Sequence, residues 1–117
     1  MDTRRDPKEL AQIVSNRSPC RVKVGAVIYD KHGRILCWGW NSSGPDGYGM
    51  CGERHAISRA NRSRIAGCSL VVYAFRARTG RCLISYPCAK CWEVIINAGI
   101  RRVEYVGPDR KWTAVNL

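Results

Sequence analysis

The chain has 117 residues, of which 45% are hydrophobic, and a formal net charge of +11. This length and composition fit one domain with its own core and exclude a disordered chain. No apolar run approaches the roughly 20 residues of a membrane-spanning helix, and the charged residues 1–6 lack the apolar segment of a signal peptide. We therefore expect a single domain over residues 1–117 that is cytoplasmic and has no membrane partner.

The first third of the chain predicts a helix followed by a hairpin. A helix is expected from Asp6 to about Val14, because Asp6 can cap it and Pro7 suits the first helical position. Residues 21–29 and 34–40 are rich in apolar and β-branched side chains and predict two strands. The short turn between them predicts that these strands pair antiparallel.

The middle of the chain predicts a loop, a helix and a buried strand. Residues 41–49 contain four glycines or prolines and predict a loop. The spacing of alanine and isoleucine then indicates a helix from Cys51 to about Arg64, which Gly67 ends. Residues 69–75 are apolar without alternation, which indicates a strand with both faces covered.

The last third predicts a connection, a helix and a mixed sheet. Residues 76–86 are expected to be a connection, and a helix is expected from Cys88 to Ala98, stopped by Gly99. Residues 102–106 predict a fourth strand. Only 11 residues follow, whereas a crossover to a parallel strand needs a dozen or more. A fifth strand must therefore return antiparallel, and the predicted class is α/β, with a mixed sheet of four to five strands and helices on both faces.

The strongest chemical signal is a set of three cysteines. Cys88 and Cys91 are spaced as Cys-x-x-Cys at a predicted helix start, where the unpaired N–H groups favour thiolates. Without a secretion signal, such clusters indicate metal binding or catalysis more often than disulfides. Cys51, at another helix start, would complete three ligands and leave the fourth position of a zinc ion open to water. Glu53 lies two residues on, where it could move protons without ligating.

Other interpretations of these residues stay open from the spacing alone. A Cys-x-x-Cys pair also suits a redox dithiol or half of a structural zinc site. Cys82 could serve as a fourth thiol and close the site. His55 lies one helical turn from Cys51, but three thiols already fill the ligand set, which favours a packed or surface histidine.

Two segments resemble the cytidine and deoxycytidylate deaminase superfamily. They are Cys51 to Ile57 and Pro87 to Cys91, which match its signature of His/Cys-x-Glu followed by Pro-Cys-x-x-Cys. The resemblance extends from Val22 to about Val106. It implies a three-layer cytidine-deaminase-like fold, zinc on Cys51, Cys88 and Cys91, and Glu53 as proton shuttle while water attacks C4 of cytosine.

The resemblance also assigns roles around the zinc ligands. Arg54 matches a position at which members with a cysteine ligand place an arginine against the thiolates. Asn41 matches a loop asparagine that contacts the sugar, and backbone groups near Ala26 match the base pocket. Ser43, however, stands where free-cytidine deaminases usually carry an acidic residue that grips the ribose hydroxyl.

Three functions are therefore considered. The first is deamination of cytosine in a free nucleotide or nucleoside, with dCMP favoured. The second is the same reaction on single-stranded DNA or RNA, which the +11 charge favours. The third is a zinc-stabilised nucleic-acid-binding module without catalysis. Free-nucleotide members of the family are often oligomers, so a homo-oligomer is also considered.

Overall fold

The computed structural model describes residues 6–43 and 49–117 of the chain. Within these ranges it forms four helices and six strands. In chain order they are α1 (Pro7–Ser15), β1 (Val22–Tyr29), β2 (Ile35–Trp40), α2 (Gly52–Arg59), α3 (Arg62–Ile65), β3 (Ser69–Arg76), β4 (Cys82–Leu83), α4 (Ala89–Asn97), β5 (Arg102–Val106) and β6 (Trp112–Asn116). The boundaries agree with the sequence predictions to within a residue or two, except in two places.

Local hydrogen bonds define the first helix and the first turn. The Asp6 side chain accepts a hydrogen bond of 2.9 Å from the backbone N–H of Lys8 and so caps α1, as predicted. Between β1 and β2, Asp30 Oδ1 accepts the backbone N–H of His32 at 2.9 Å. Gly33 follows with φ of 80°, a conformation that glycine adopts readily. The predicted antiparallel hairpin is confirmed.

The single helix predicted from Cys51 to about Arg64 is wrong, because the structure has two helices there. Ala60 is extended, with φ of −82° and ψ of 152°, and ends α2. The side chain of Asn61 then accepts the backbone N–H of Ser63 at 3.1 Å and caps α3. Asparagine side chains compete with the helical ladder for backbone N–H groups, so the break is local in origin.

The prediction that residues 76–86 are only a connection is also wrong. Cys82 and Leu83 form β4, which pairs antiparallel with the end of β3 opposite Phe75 and Ala74. The backbone N–H of Arg76 donates to the carbonyl of Arg81 at 2.9 Å and closes this second hairpin. A two-residue strand has too little alternation to be recognised from its sequence.

The six strands form one mixed sheet in the order β2-β1-β3-β5-β6, with β4 attached to β3. β3 and β5 are parallel, whereas β1 pairs antiparallel with both β2 and β3. The terminal strand β6 pairs antiparallel with β5, which confirms the prediction made from the short tail. β5 contacts β3 near Ser69 and β4 contacts it near Phe75, so β4 and β5 pair with opposite ends of β3, whereas β1 pairs along its whole length.

Helices cover both faces of the sheet and give the predicted three-layer fold. α1 packs on one face, where Ala11, Val27 and Val71 are buried together. α2 and α4 pack on the other face, where the larger core includes Ile28, Ala56, Ile57, Leu70, Val72, Ile95 and Val103. No helix within the described ranges combines the length and the apolar composition needed to cross a bilayer.

Candidate metal centre

The starts of α2 and α4 bring three thiols together. Cys51 and Cys88 are the N-cap residues of these helices, and Cys91 lies in the first turn of α4. The three Sγ atoms all lie within 4.8 Å of one another, and those of Cys88 and Cys91 are 3.4 Å apart. Tetrahedral zinc with Zn–S bonds of about 2.3 Å separates its sulfurs by about 3.8 Å. The cluster therefore fits one zinc ion.

The surroundings of the thiols shift the pKa values of Cys88 and Cys91 in opposite directions. The backbone N–H groups of Cys91 and Lys90, at the start of α4, lower the pKa of the Cys88 thiol. Burial raises the pKa of Cys91, and the Glu53 carboxylate and the other two thiols raise it further. Three thiolates beside a carboxylate repel one another, so the anionic cluster is stable only with a cation among them.

Arg54 supplies positive charge at the edge of the cluster. Its Nη2 lies 3.6 Å from Cys51 Sγ and donates to the carbonyl of Gly49 at 3.4 Å. The hydrogen bond to Cys51 raises the pKa of Arg54 above its ordinary value. With zinc bound to three thiolates the set would carry a net charge of −1, which a guanidinium at this distance would offset.

Glu53 is the second residue of α2 and is only 6% exposed. Burial raises the pKa of its carboxyl group, against the opposing effects of its own backbone N–H, Cys91 and Arg54. A carboxyl group whose pKa lies above its ordinary value holds a proton more readily, as a group that carries protons must. Glu53 thus has the environment of a proton carrier.

The thiols and Glu53 open into one pocket of about 200 Å³. Pockets for drug-sized ligands span roughly 300–1,000 Å³, so this one suits a smaller group such as a single heterocyclic ring. Its wall is largely apolar where the strands contribute and polar at the helix starts. The other lining residues are Val22, Val24, Asn41, Gly52, Val72, Ala74, Ile84, Ser85 and Tyr86.

Asn41 lies in the pocket wall, whereas Ala26 does not. Asn41 Oδ1 accepts the backbone N–H of Val24 and its Nδ2 donates to the carbonyl of Val22, both at 2.8 Å. One N–H of Nδ2 remains for a ligand. Ala26 is fully buried two residues further along β1, and the lining residues of that strand are Val22 and Val24. A substrate contact at Ala26 stays a prediction.

Two further candidates from the sequence lie outside the thiol cluster. The ring of His55 packs edge-on against Trp40 with centroids 4.6 Å apart, and its Nδ1 is 3.1 Å from the backbone N and O of Trp40. Cys82 is on β4 and is not part of the group of thiols found in the described part of the chain. His55 is therefore packed, as the sequence favoured.

The loop before Pro87 contributes residues that sequence reasoning missed. Ser85 is buried, and its hydroxyl donates to the carbonyl of Val72 at 2.8 Å and accepts the N–H of Val106 at 2.7 Å. This clamp holds the loop between β3 and β5. Tyr86 is 57% exposed and packs 5.3 Å from the ring of Trp92. In the sequence, only the position of Ser85 and Tyr86 directly before Pro-Cys-x-x-Cys could have indicated that they belong to the pocket.

Comparison with known sequences identifies one matching family. The model described as "Cytidine and deoxycytidylate deaminase zinc-binding region" matches residues 3–107. A search of curated proteins gives no match.

Comparison with solved structures gives several similar folds. The cytidine deaminase of Burkholderia pseudomallei has a TM-score of 0.69 at 18% identity, over 94% of this chain and 89% of that chain. The dCMP deaminase of the cyanophage S-TIM5 in apo form has a TM-score of 0.65 at 26% identity, over 83% and 76%. The same phage enzyme in complex with dCMP and dUMP has a TM-score of 0.63 at 26% identity, over 82% and 74%.

Proposed function

This chain belongs to the cytidine and deoxycytidylate deaminase family and is a zinc-dependent hydrolase, and on that premise we propose that it converts cytosine to uracil in a free nucleotide, with dCMP as the preferred substrate. The observation that carries the proposal is the juxtaposition of three thiols and the buried Glu53 in one small pocket. The 26% identity to a phage dCMP deaminase, whose structure contains dCMP and dUMP, supports the choice of nucleotide.

Cys51, Cys88 and Cys91 would hold the zinc ion, since their sulfurs lie within 4.8 Å of one another. When bound, zinc supplies the Lewis acidity that makes water a nucleophile near neutral pH. Arg54 reduces the net negative charge of the thiolate set through its contact with Cys51. This matters because excess negative charge would make that water less acidic.

Glu53 would hold and move the proton. Overall, water adds its oxygen to C4 of cytosine, the C4–N bond breaks, and the base becomes uracil while ammonia leaves. Glu53 would accept a proton from the water and deliver it to N3 of the base. It would then take the remaining proton from the oxygen newly bound to C4 and deliver it to the departing amine. Its burial supports this role because the carboxyl group is shielded from bulk water, and its raised pKa favours keeping the proton between transfers.

Asn41 would orient the substrate at the pocket wall. Its amide is already fixed by the backbone of β1 through Val22 and Val24, so its remaining N–H is held in position for the sugar. Backbone groups of β1 near Ala26 would then lie behind the base. Binding by a fixed amide has a low entropic cost.

The test is turnover by the zinc-loaded protein on cytidine, deoxycytidine, dCMP and a cytosine-bearing oligonucleotide. We expect uracil formation fastest with dCMP. Turnover of the oligonucleotide alone, collapsing steeply as salt is raised, would contradict a free-nucleotide substrate. No turnover on any of the four would contradict cytosine deamination, and a purine panel would then follow.

A further inference from the structure

A second cleft lies beside the pocket and is lined by arginines. It has a volume of about 460 Å³ and is lined by Arg21, Arg76, Ala77 and Arg78. The backbone N–H of Ala77 donates to the carbonyl of Arg21 at 2.8 Å and ties the β3–β4 hairpin to the start of β1. We refer to this concavity as the arginine cleft.

The arginine cleft lies next to the metal-centre pocket. Arg76 is paired in register with Val22, and Val22 lines that pocket. Ala74 also lines the pocket, and Arg76 is two residues further along β3 on the same face. At about 3.3 Å per residue, this places the backbone of Arg76 about 7 Å beyond the pocket wall. A ligand with its ring in the pocket can therefore extend into the cleft.

The three arginines of the cleft are exposed. Within residues 6–43 and 49–117, none of the three guanidinium groups has an ion pair or a hydrogen bond. Like charges held close together destabilise a fold, and an anion between them relieves that repulsion. Guanidinium groups match phosphate oxygens in geometry as well as charge.

We propose that the arginine cleft binds the phosphate of the nucleotide whose base occupies the metal-centre pocket. This proposal rests on the proposed function and adds the residues that distinguish a nucleotide from a nucleoside. Arg76 and Arg78 approach the phosphate from the hairpin, and Arg21 approaches it from the start of β1. The site joins two segments of the chain that are more than 50 residues apart.

Another basic cleft serves as an internal control. Lys31, Arg101 and Arg102 line a cleft of about 470 Å³ at the opposite end of the sheet, beside Ser69. Ser69 and Arg76 are the two ends of β3, so about 23 Å of strand separates the two clefts. A charge removed at Arg101 lowers the net charge of the protein without touching the arginine cleft.

The experiment compares the double variant Arg76→Gln/Arg78→Gln with Arg101→Gln and the wild type, all zinc-loaded. kcat/KM is measured for dCMP, for deoxycytidine and for a cytosine-bearing oligonucleotide. Charge-assisted hydrogen bonds at this site correspond to a loss of about tenfold or more in kcat/KM for dCMP. We expect that loss in the double variant, with deoxycytidine turnover unchanged and with Arg101→Gln like the wild type on both dCMP and deoxycytidine.

The other possible results distinguish failure of the proposed function from failure of the arginine-cleft proposal. If the wild type deaminates neither dCMP nor deoxycytidine, the proposed function fails and the inference fails with it. If the wild type deaminates dCMP and the double variant keeps its preference over deoxycytidine, the inference alone is overturned. An equal loss in Arg101→Gln would overturn it too, since long-range charge would then explain the effect. A loss confined to a cytosine-bearing oligonucleotide would reassign the cleft to a polynucleotide backbone. Equal thermal midpoints confirm that the variants are folded.

Discussion

Replacing Glu53 by glutamine tests the chemistry of the pocket most directly. The change keeps the shape of the side chain but removes its capacity to accept a proton. A positioned general acid–base typically accelerates a reaction by about 10²–10⁴-fold. Glu53 is only 6% exposed, so bulk water cannot easily take over the transfer. We therefore expect kcat for dCMP to fall by about 10³–10⁴-fold, or about 4–5.5 kcal/mol in the activation barrier.

The assay follows the conversion of dCMP to dUMP, with zinc content and thermal midpoint measured on the same samples. Glu53 is not one of the three thiols, so Glu53→Gln is expected to bind one zinc per chain. Its thermal midpoint is expected to stay within about 3 °C of the wild type, because burial already opposes ionisation of this group. The matched control is Glu93→Gln, since Glu93 is exposed on α4.

A Glu53→Gln protein that keeps full zinc and at least a third of the wild-type kcat would refute the assignment of Glu53 as proton carrier. The same variant with low zinc would show that Glu53 supports the metal site rather than the proton transfer. A comparable loss in Glu93→Gln would show that the effect is not specific to the pocket.

Three other changes test the metal centre, the packing and the buried polar network. Cys91→Ser is expected to lose zinc and activity together and to lower the thermal midpoint, because Cys91 is only 1% exposed and serine is a poor zinc ligand. Atomic absorption measures the zinc content, and calorimetry measures the thermal midpoint. Gly39→Ala would place its Cβ 2.3 Å from the backbone N of Ala56 on α2, so we expect urea denaturation to show a loss of about 1–3 kcal/mol or more in the free energy of unfolding. Tyr29 donates a hydrogen bond to Glu104, and burial first and Glu104 second raise the pKa of Tyr29 above its ordinary value of about 10. The raised value means that the contribution of Tyr29 to stability is present below about pH 10 and is lost as the pH rises through the folded-state pKa. In urea titrations the stability advantage of the wild type over Tyr29→Phe should therefore stay constant up to about pH 9 and shrink as the pH rises above about 10.

Each of these predictions has a contrary outcome. Full zinc in Cys91→Ser would remove Cys91 from the ligand set. Gly39→Ala is compared with Ser58→Ala, a change at an exposed position of α2, the helix that the new Cβ would meet. Equal stabilities would show that α2 moves away at little cost. A stability difference for Tyr29→Phe that does not change with pH would place its effect in packing rather than in ionisation.

Much of the fold was accessible from local signals. Asp6 and Pro7 marked the start of α1, and the short tail after β5 required an antiparallel return; both are confirmed. Two features were missed, the break between α2 and α3 and strand β4. Both depend on which of several possible partners a backbone group pairs with. Asn61 interrupts a continuous apolar pattern by capping a new helix, and β4 exists only because a hairpin turns it back onto β3.

The chemistry of the metal centre was determined by sequence alone, because a zinc site needs particular side chains at particular spacings and the Cys-x-Glu and Pro-Cys-x-x-Cys segments carry both. Only the tertiary structure decided what surrounds them. It places Asn41 in the pocket wall and adds Ser85 and Tyr86 to that wall, and it brings Arg21 beside Arg76. These neighbours are far apart in the chain, and strand pairing and helix packing, which no local pattern encodes, bring them together.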